Sequence, residues 1–159
     1  MAYETYQQVT GTIREIQRGD SCCTFMISIM TDKEMVQFVV SGETQIIDNV
    51  RLRNGMRIAA FYDANLPTPA VYPPRYQAEL ITALRGNQQV KLAYFDSDLT
   101  SADNTLKLNL TPFTNTVTAN GQRFSCQPTD MELLVYYTTT TFSIPAQTTP
   151  QKIIVMCPE

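Results

Sequence analysis

The sequence predicts an all-β protein built as two tandem copies of one small, five-stranded unit. Three observations predict it. Apolar residues alternate or cluster in short runs bounded by turn signals, with no sustained 3.6-residue stripe. Nine prolines and 21 threonines among 159 residues disfavour helices, because proline breaks them and β-branched side chains pack better on a pleated surface. The two halves also carry matching segments in the same order.

Taken in order, strands are expected over residues 8–16, 23–30, 36–41, 57–62 and 77–84, then 90–95, 106–110, 132–138 and 152–157. Asn54-Gly55 and Asn120-Gly121 mark tight turns, since both residue types tolerate positive φ. The repeat is read from three correspondences. Phe38-Val39-Val40-Ser41 with Thr44 answers Leu108-Asn109-Leu110-Thr111 with Thr114, at an offset of 70. Phe61-Tyr62 answers Tyr136-Tyr137 at 75, and Tyr72-Pro73-Pro74 answers Ile144-Pro145-Ala146 at 72.

Five short strands with a long loop before the last predict a closed Greek-key barrel of the OB type, in which closure removes exposed sheet edges. The boundary is expected at the short polar link Arg85-Gly86-Asn87-Gln88, giving domains 1–86 and 87–159. Each half is small for a self-sufficient core, and the link is short, so the barrels are expected to pack together.

Composition limits the chemistry. The chain has no histidine and no tryptophan, which removes Ser-His and Cys-His nucleophile pairs and imidazole metal sites. Paired-carboxylate, phosphate-loop and metal-ligand motifs are absent as sequence patterns, so no catalytic residue, cofactor or metal is expected and the protein is not expected to be an enzyme. A net charge of −3 and a pI of about 4.9 leave no positive field for nucleic acid or an anionic membrane. Arg51, Arg53 and Arg57 make one small basic cluster around a turn, which is read as a solvated surface. The longest apolar runs are far shorter than the ~20 residues of a membrane span. The first residues show no basic region followed by an apolar stretch, so no signal peptide is expected.

Phe61-Tyr62-Asp63-Ala64-Asn65 with Tyr72-Pro73-Pro74-Arg75-Tyr76-Gln77-Ala78 resembles a motif in uncharacterised proteins of Gram-positive bacteria. The segment from Ser143-Ile144-Pro145-Ala146-Gln147 to Pro150, followed by Lys152-Ile153, resembles the matching motif in their second half. Similar segments precede copper-amine-oxidase-like domains in some larger surface proteins. The resemblance implies no activity, and copper does not transfer to a chain without histidine.

Candidate sites are few. Cys22, Cys23, Cys126 and Cys157 are candidates for disulfides. Strand parity puts Cys23 on the core side with Phe25 and Ile27, and Cys22 outward. The alternative is four inert, reduced thiols. A four-thiolate zinc site is disfavoured because C-x-x-C spacing is missing. The acidic run from Asp96 to Asn104 offers oxygen ligands but lacks the glycine and glutamate of a calcium loop, so it is read as turns. The Pro-rich loops from Ala64 to Arg75 and from Thr139 to Pro150 carry Tyr72, Pro73, Pro74, Arg75, Tyr76, Phe142 and Pro145. These are expected to serve as an interface or ligand loop.

Two functions compete. Few charges mean a small desolvation cost on side-by-side packing. The expected function is therefore a non-catalytic structural protein that self-assembles into a homo-oligomer or filament at a cell or spore surface, a cytoplasmic location remaining open. The alternative is an OB-like binding module for a polysaccharide, peptide or small ligand, with a protein or glycan partner.

Overall fold

The computed structural model describes residues 2–158. Thirteen strands follow one another: β1 (Tyr6–Arg18), β2 (Phe25–Met30), β3 (Met35–Val40), β4 (Gln45–Ile46), β5 (Arg57–Asp63), β6 (Arg75–Gln77), β7 (Leu80–Ala83), β8 (Gln89–Phe95), β9 (Leu106–Leu108), β10 (Asn115–Thr118), β11 (Met131–Tyr137), β12 (Ala146–Thr148) and β13 (Lys152–Val155). A 3-10 turn at Ile47–Asn49 is the only helical element among the described residues, so the protein is all-β. No helix of the described residues is long and apolar enough to cross a membrane. By contacts the chain divides into two compact units, Thr5–Arg85 and Gly86–Glu159, the second joined by the residues that precede Thr5.

In the first unit the strands run in the order β4-β7-β5-β1-β2-β3-β6. The long β1 serves two antiparallel partners with its two ends. Residues Tyr6 to Thr12 pair with β5, and Thr12 to Arg18 pair with β2, with a register shift between Ile13 and Glu15. Gly11 sits where these ladders meet. A Cβ there would collide with the Met30 carbonyl oxygen and come within 2.6 Å of Ile29 Cγ2, so the close approach requires glycine.

β3 and β4 are successive segments, as are β6 and β7. Parallel pairing joins β3 to β6 and β4 to β7. Across the interruption, Ala78 N donates to Val39 O (3.0 Å), Thr44 Oγ1 donates to Ala78 O (2.8 Å) and Gln45 N donates to Glu79 O (3.0 Å). The two ends of the strand order are therefore joined through one interrupted pair. Inside lie Ile13, Ile27, Ile29, Phe38, Ile58 and Ile81, all fully buried. Removing three or four carbons from such a side chain costs about 2–5 kcal/mol.

The second unit repeats this ladder in detail. β8 pairs antiparallel with β11, β11 antiparallel with β13, β10 parallel with β13, and β12 parallel with β9. The partner pairs coincide under the offsets seen in sequence. Phe38 lies opposite Tyr76, and Leu108 opposite Thr148. Ala60 lies opposite Ile81, and Val135 opposite Ile153.

Even the irregular hydrogen bonds repeat. Thr114 Oγ1 donates to Pro150 O (2.9 Å) as Thr44 does to Ala78 O, and Asn115 N donates to Gln151 O (3.1 Å) as Gln45 N does to Glu79 O. Phe95, Leu106, Leu108, Leu133, Val135, Ile153 and Val155 form its core. Where the first unit has β2, the second has, among the described residues, only two bridges, Phe95 to Ser101 and Thr100 to Lys107.

Several sequence expectations shift at this level. β4, β10 and β12 fall outside every expected strand; of the expected strand 77–84 only Leu80–Ala83 forms β7, after a break from β6, which starts earlier at Arg75 and shares only Gln77 with it. Cys23 does not face the core. β2 begins at Phe25, and the Gly19 N to Thr24 O bond (2.9 Å) closes a turn that holds both Cys22 and Cys23 exposed. Strand parity fails there because the pleat has not yet started. Gly55 (φ 90°) and Gly121 (φ 85°) adopt the positive φ their turns demand.

Candidate functional site

The two Pro-rich loops occupy equivalent places, each leading into the strand that pairs parallel with β3 or β9. The Tyr72-Pro73 and Ile144-Pro145 bonds are both cis. The residue before each proline points into solvent, Tyr72 at 84% exposure and Ile144 at 91%. Phe142 is fully exposed on the second loop, and Leu66 and Val71 are exposed on the first. Phe113, in the turn after β9, is 93% exposed.

Behind these tips the first loop is anchored. Pro73 and Pro74 are half-buried, and Pro74 O accepts from Gln37 N (2.8 Å). Arg75 Nε and Nη2 both donate to Gln37 Oε1 at 3.4 Å. Tyr76 stacks on Tyr62 with ring centroids 3.8 Å apart and planes within 9°, and both tilt against Phe38. Burial, with the neighbouring Tyr76 hydroxyl adding to it, pushes the Tyr62 pKa up to about 12. Tyr62 therefore stays neutral and acts as packing.

The same place in the second unit is built differently. Tyr137 takes the position of Tyr62, with its pKa also raised by burial, but Thr148 takes the position of Tyr76. Thr148 is buried and its hydroxyl donates to Thr139 O (2.6 Å). A pocket of about 320 Å³ opens here, lined by Asn109, by residues 139–141 and by residues 147–149. Every lining side chain is a hydroxyl or a carboxamide. Asn109 Nδ2 donates to Gln147 Oε1 (3.2 Å), and Thr141 Oγ1 accepts from Gln147 N (2.9 Å). Pro145 and Ala146 form the half-buried base of the loop.

Cys22, Cys23, Cys126 and Cys157 are all exposed, and each is a free thiol. The structure thus places no disulfide between them within the chain. Arg18 Nη2 donates to Cys22 Sγ at 3.2 Å, which fixes the side chain over the hairpin turn.

The acidic run proves to be turn chemistry. Asp96 Oδ1 accepts from Asp98 N (2.8 Å) and Thr100 N (3.0 Å). Asp103 Oδ1 accepts from the Ser101 hydroxyl (2.6 Å), the Thr105 hydroxyl (2.7 Å) and Thr105 N (3.2 Å), and Oδ2 pairs with Lys91 Nζ (2.8 Å). Burial works to raise the Asp103 pKa. The bonds from Lys91, Ser101 and Thr105 outweigh it and hold the carboxyl well below its ordinary value of 3.8. No group of three or more acidic or cysteine side chains among the described residues is arranged to hold a metal. Arg51 and Arg53 are exposed and Arg57 is half-buried.

An open groove of about 490 Å³ in the first unit lies between β1, the β2–β3 turn and Tyr76, with Asp32, Lys33 and Glu34 on its rim. It joins Pro74 and Tyr76, both singled out from the sequence, to Gln8, Thr10 and the Thr31–Glu34 turn, which were not. The sequence also passed over Leu66, Val71, Phe113 and Ile144, whose signal was a bulky apolar residue beside a proline or within a turn. No protein-family model matches the chain, and no curated protein matches it.

Proposed function

We propose that the chain is a non-catalytic structural subunit made of two tandem OB-like barrels, which associates with copies of itself in a cell- or spore-surface assembly. The barrel reading is supported by the strand order, in which β1 lies between β2 and β5 and the parallel β3/β4–β6/β7 pair joins the two ends. That is the 1-2-3-5-4-1 circuit of a five-stranded Greek key. The second unit follows the same circuit with its second strand shortened to two bridges.

One observation carries the functional reading. Bulky apolar side chains stand almost fully in water at matched positions of the two repeats, Tyr72 and Ile144, with Phe142 beside the latter. Burying such side chains is worth about 1.5–3 kcal/mol each, and centrally placed anchors of this kind dominate protein interfaces. A chain with only 17% charged residues has few ions to strip of water when such surfaces meet. The four thiols are exposed, which leaves them accessible to oxidative cross-linking with another copy.

Size-exclusion chromatography with light scattering tests the reading, run with and without reductant and followed by electron microscopy. An ordered oligomer or filament that survives reductant, and becomes resistant to dilution without it, is the expected result. A clean monomer at millimolar concentration in both buffers would overturn it.

A further inference from the structure

We propose that the pocket between Asn109, residues 139–141 and residues 147–149 is a binding site for a neutral oligosaccharide. Its chemistry is the first argument. The lining offers hydroxyl and carboxamide groups and no charge. An ionic ligand would lose water there without a counter-charge, and an apolar side chain of a peptide would find only threonine methyls set among hydroxyls and carboxamides. A polyol finds both donors and acceptors.

Free valences are the second argument. Asn109 and Gln147 hold each other through one amide atom apiece at 3.2 Å, which fixes both planes. Gln147 Nε2 and Asn109 Oδ1 are left without a hydrogen-bond partner among the described residues, a donor and an acceptor side by side. The hydroxyls of Thr140 and Thr149 are exposed and likewise unpartnered among those residues. Phe142, next along the same loop, presents an unburied ring on which the C–H face of a sugar can lie.

The third argument is internal. The first unit carries Val39, Ala64, Leu66, Arg75 and Tyr76 at the positions of Asn109, Thr139, Thr141, Gln147 and Thr148. There the aromatic ring of Tyr76 lies stacked on Tyr62, and Arg75 is tied to Gln37. The backbone pairing around both places is the same. Only side chains differ: Thr140 and Thr149 answer Asn65 and Gln77, which are neutral and polar in both units, while at the other five positions the second unit carries a hydroxyl or carboxamide where the first has an apolar, aromatic or charged side chain. At about 320 Å³ the pocket sits at the small end of the range for ligand sites, enough for one or two sugar rings of a longer chain.

The test is an amide ¹H–¹⁵N titration of the full chain with maltohexaose, cellohexaose, laminarihexaose and chitohexaose, with oligogalacturonate as a charged control. Each is taken to about 10 mM, tenfold above the Kd of a millimolar site. At least one neutral probe is expected to shift residues 109, 139–142 and 147–149, and the charged control to leave them unmoved. Gln147→Leu and Thr140→Val, each removing one hydrogen-bonding group, are expected to weaken binding about three- to tenfold. Their spectra elsewhere and their association state should match the unaltered chain. Silence from all four neutral probes, shifts centred elsewhere, an equal response to oligogalacturonate, or undiminished binding by both variants would each overturn the proposal. Of these outcomes only a shift at Phe142, which also stands among the anchors proposed between copies, touches on self-association.

Discussion

Ser101→Ala probes the device that replaces a strand in the second unit. Ser101 is buried at 3% exposure, and its hydroxyl accepts from Leu106 N (3.0 Å) and Thr105 N (3.2 Å) while donating to Asp103 Oδ1 (2.6 Å). Thr105 N keeps Asp103 as an acceptor after the change, so only the Leu106 amide is orphaned. An unsatisfied buried N–H costs about 1–3 kcal/mol. The lost bond to the carboxylate adds about 1 kcal/mol, reduced because Asp103 is 52% exposed. The sum is roughly 3 kcal/mol, equivalent to a fall of about 12–24 °C in the melting temperature of a unit this size. Calorimetry should show that fall, and amide exchange at Leu106 should accelerate. Ser97→Ala, at an exposed position of the same run, should change stability by less than about 0.5 kcal/mol. A Ser101→Ala loss below about 1 kcal/mol, or unaltered protection at Leu106, would refute the assignment of Ser101 as the hub.

Three further outcomes are expected. Because the Asp103 carboxyl is held below its ordinary value of 3.8, its contribution is fully present above that value and is lost as pH falls through the lower folded one. Acid titration followed by circular dichroism should therefore show Asp103→Asn less stable at pH 7 by about 1 kcal/mol, converging on the unaltered chain in strong acid. Gly11→Ala should lower the denaturant midpoint by an amount worth about 2 kcal/mol or more, since its Cβ meets backbone at Met30 and β1 must shift against β2. Tyr72→Ser combined with Ile144→Ser should leave the melting temperature within a few degrees, yet raise the dissociation constant between copies at least tenfold by sedimentation, as expected for exposed anchors.

The strands that could be read in sequence are those with their own alternating or continuous apolar pattern, such as Met35–Val40, Arg57–Asp63 and Met131–Tyr137. Those that could not are held by others. Asn115–Thr118 and Ala146–Thr148 are short, largely polar segments whose extended form comes from parallel partners. Parallel pairing leaves no local turn signal.

The repeat was more legible than any single strand. The offsets in the sequence coincide with ladder positions, and Thr44 and Thr114 match because their hydroxyls perform one structural task. The second-unit pocket was hidden for a related reason. Its lining joins Asn109 to residues 139–141 and 147–149 across a fold-dependent distance, although four consecutive threonines from Thr138 were a compositional hint.

The placement of β7 between β4 and β5, and of β13 between β10 and β11, bears on how the chain is made. In each half, the strand synthesised last is wedged between neighbours made tens of residues earlier. A ribosome must therefore release residue 83 before the first half can finish assembling, and residue 155 before the second can. At about 5–20 residues per second, the apolar faces of Leu133 and Val135 wait one to a few seconds for Ile153 and Val155 to emerge. That interval is the window in which a holding chaperone, or a stray neighbouring chain, has access to them.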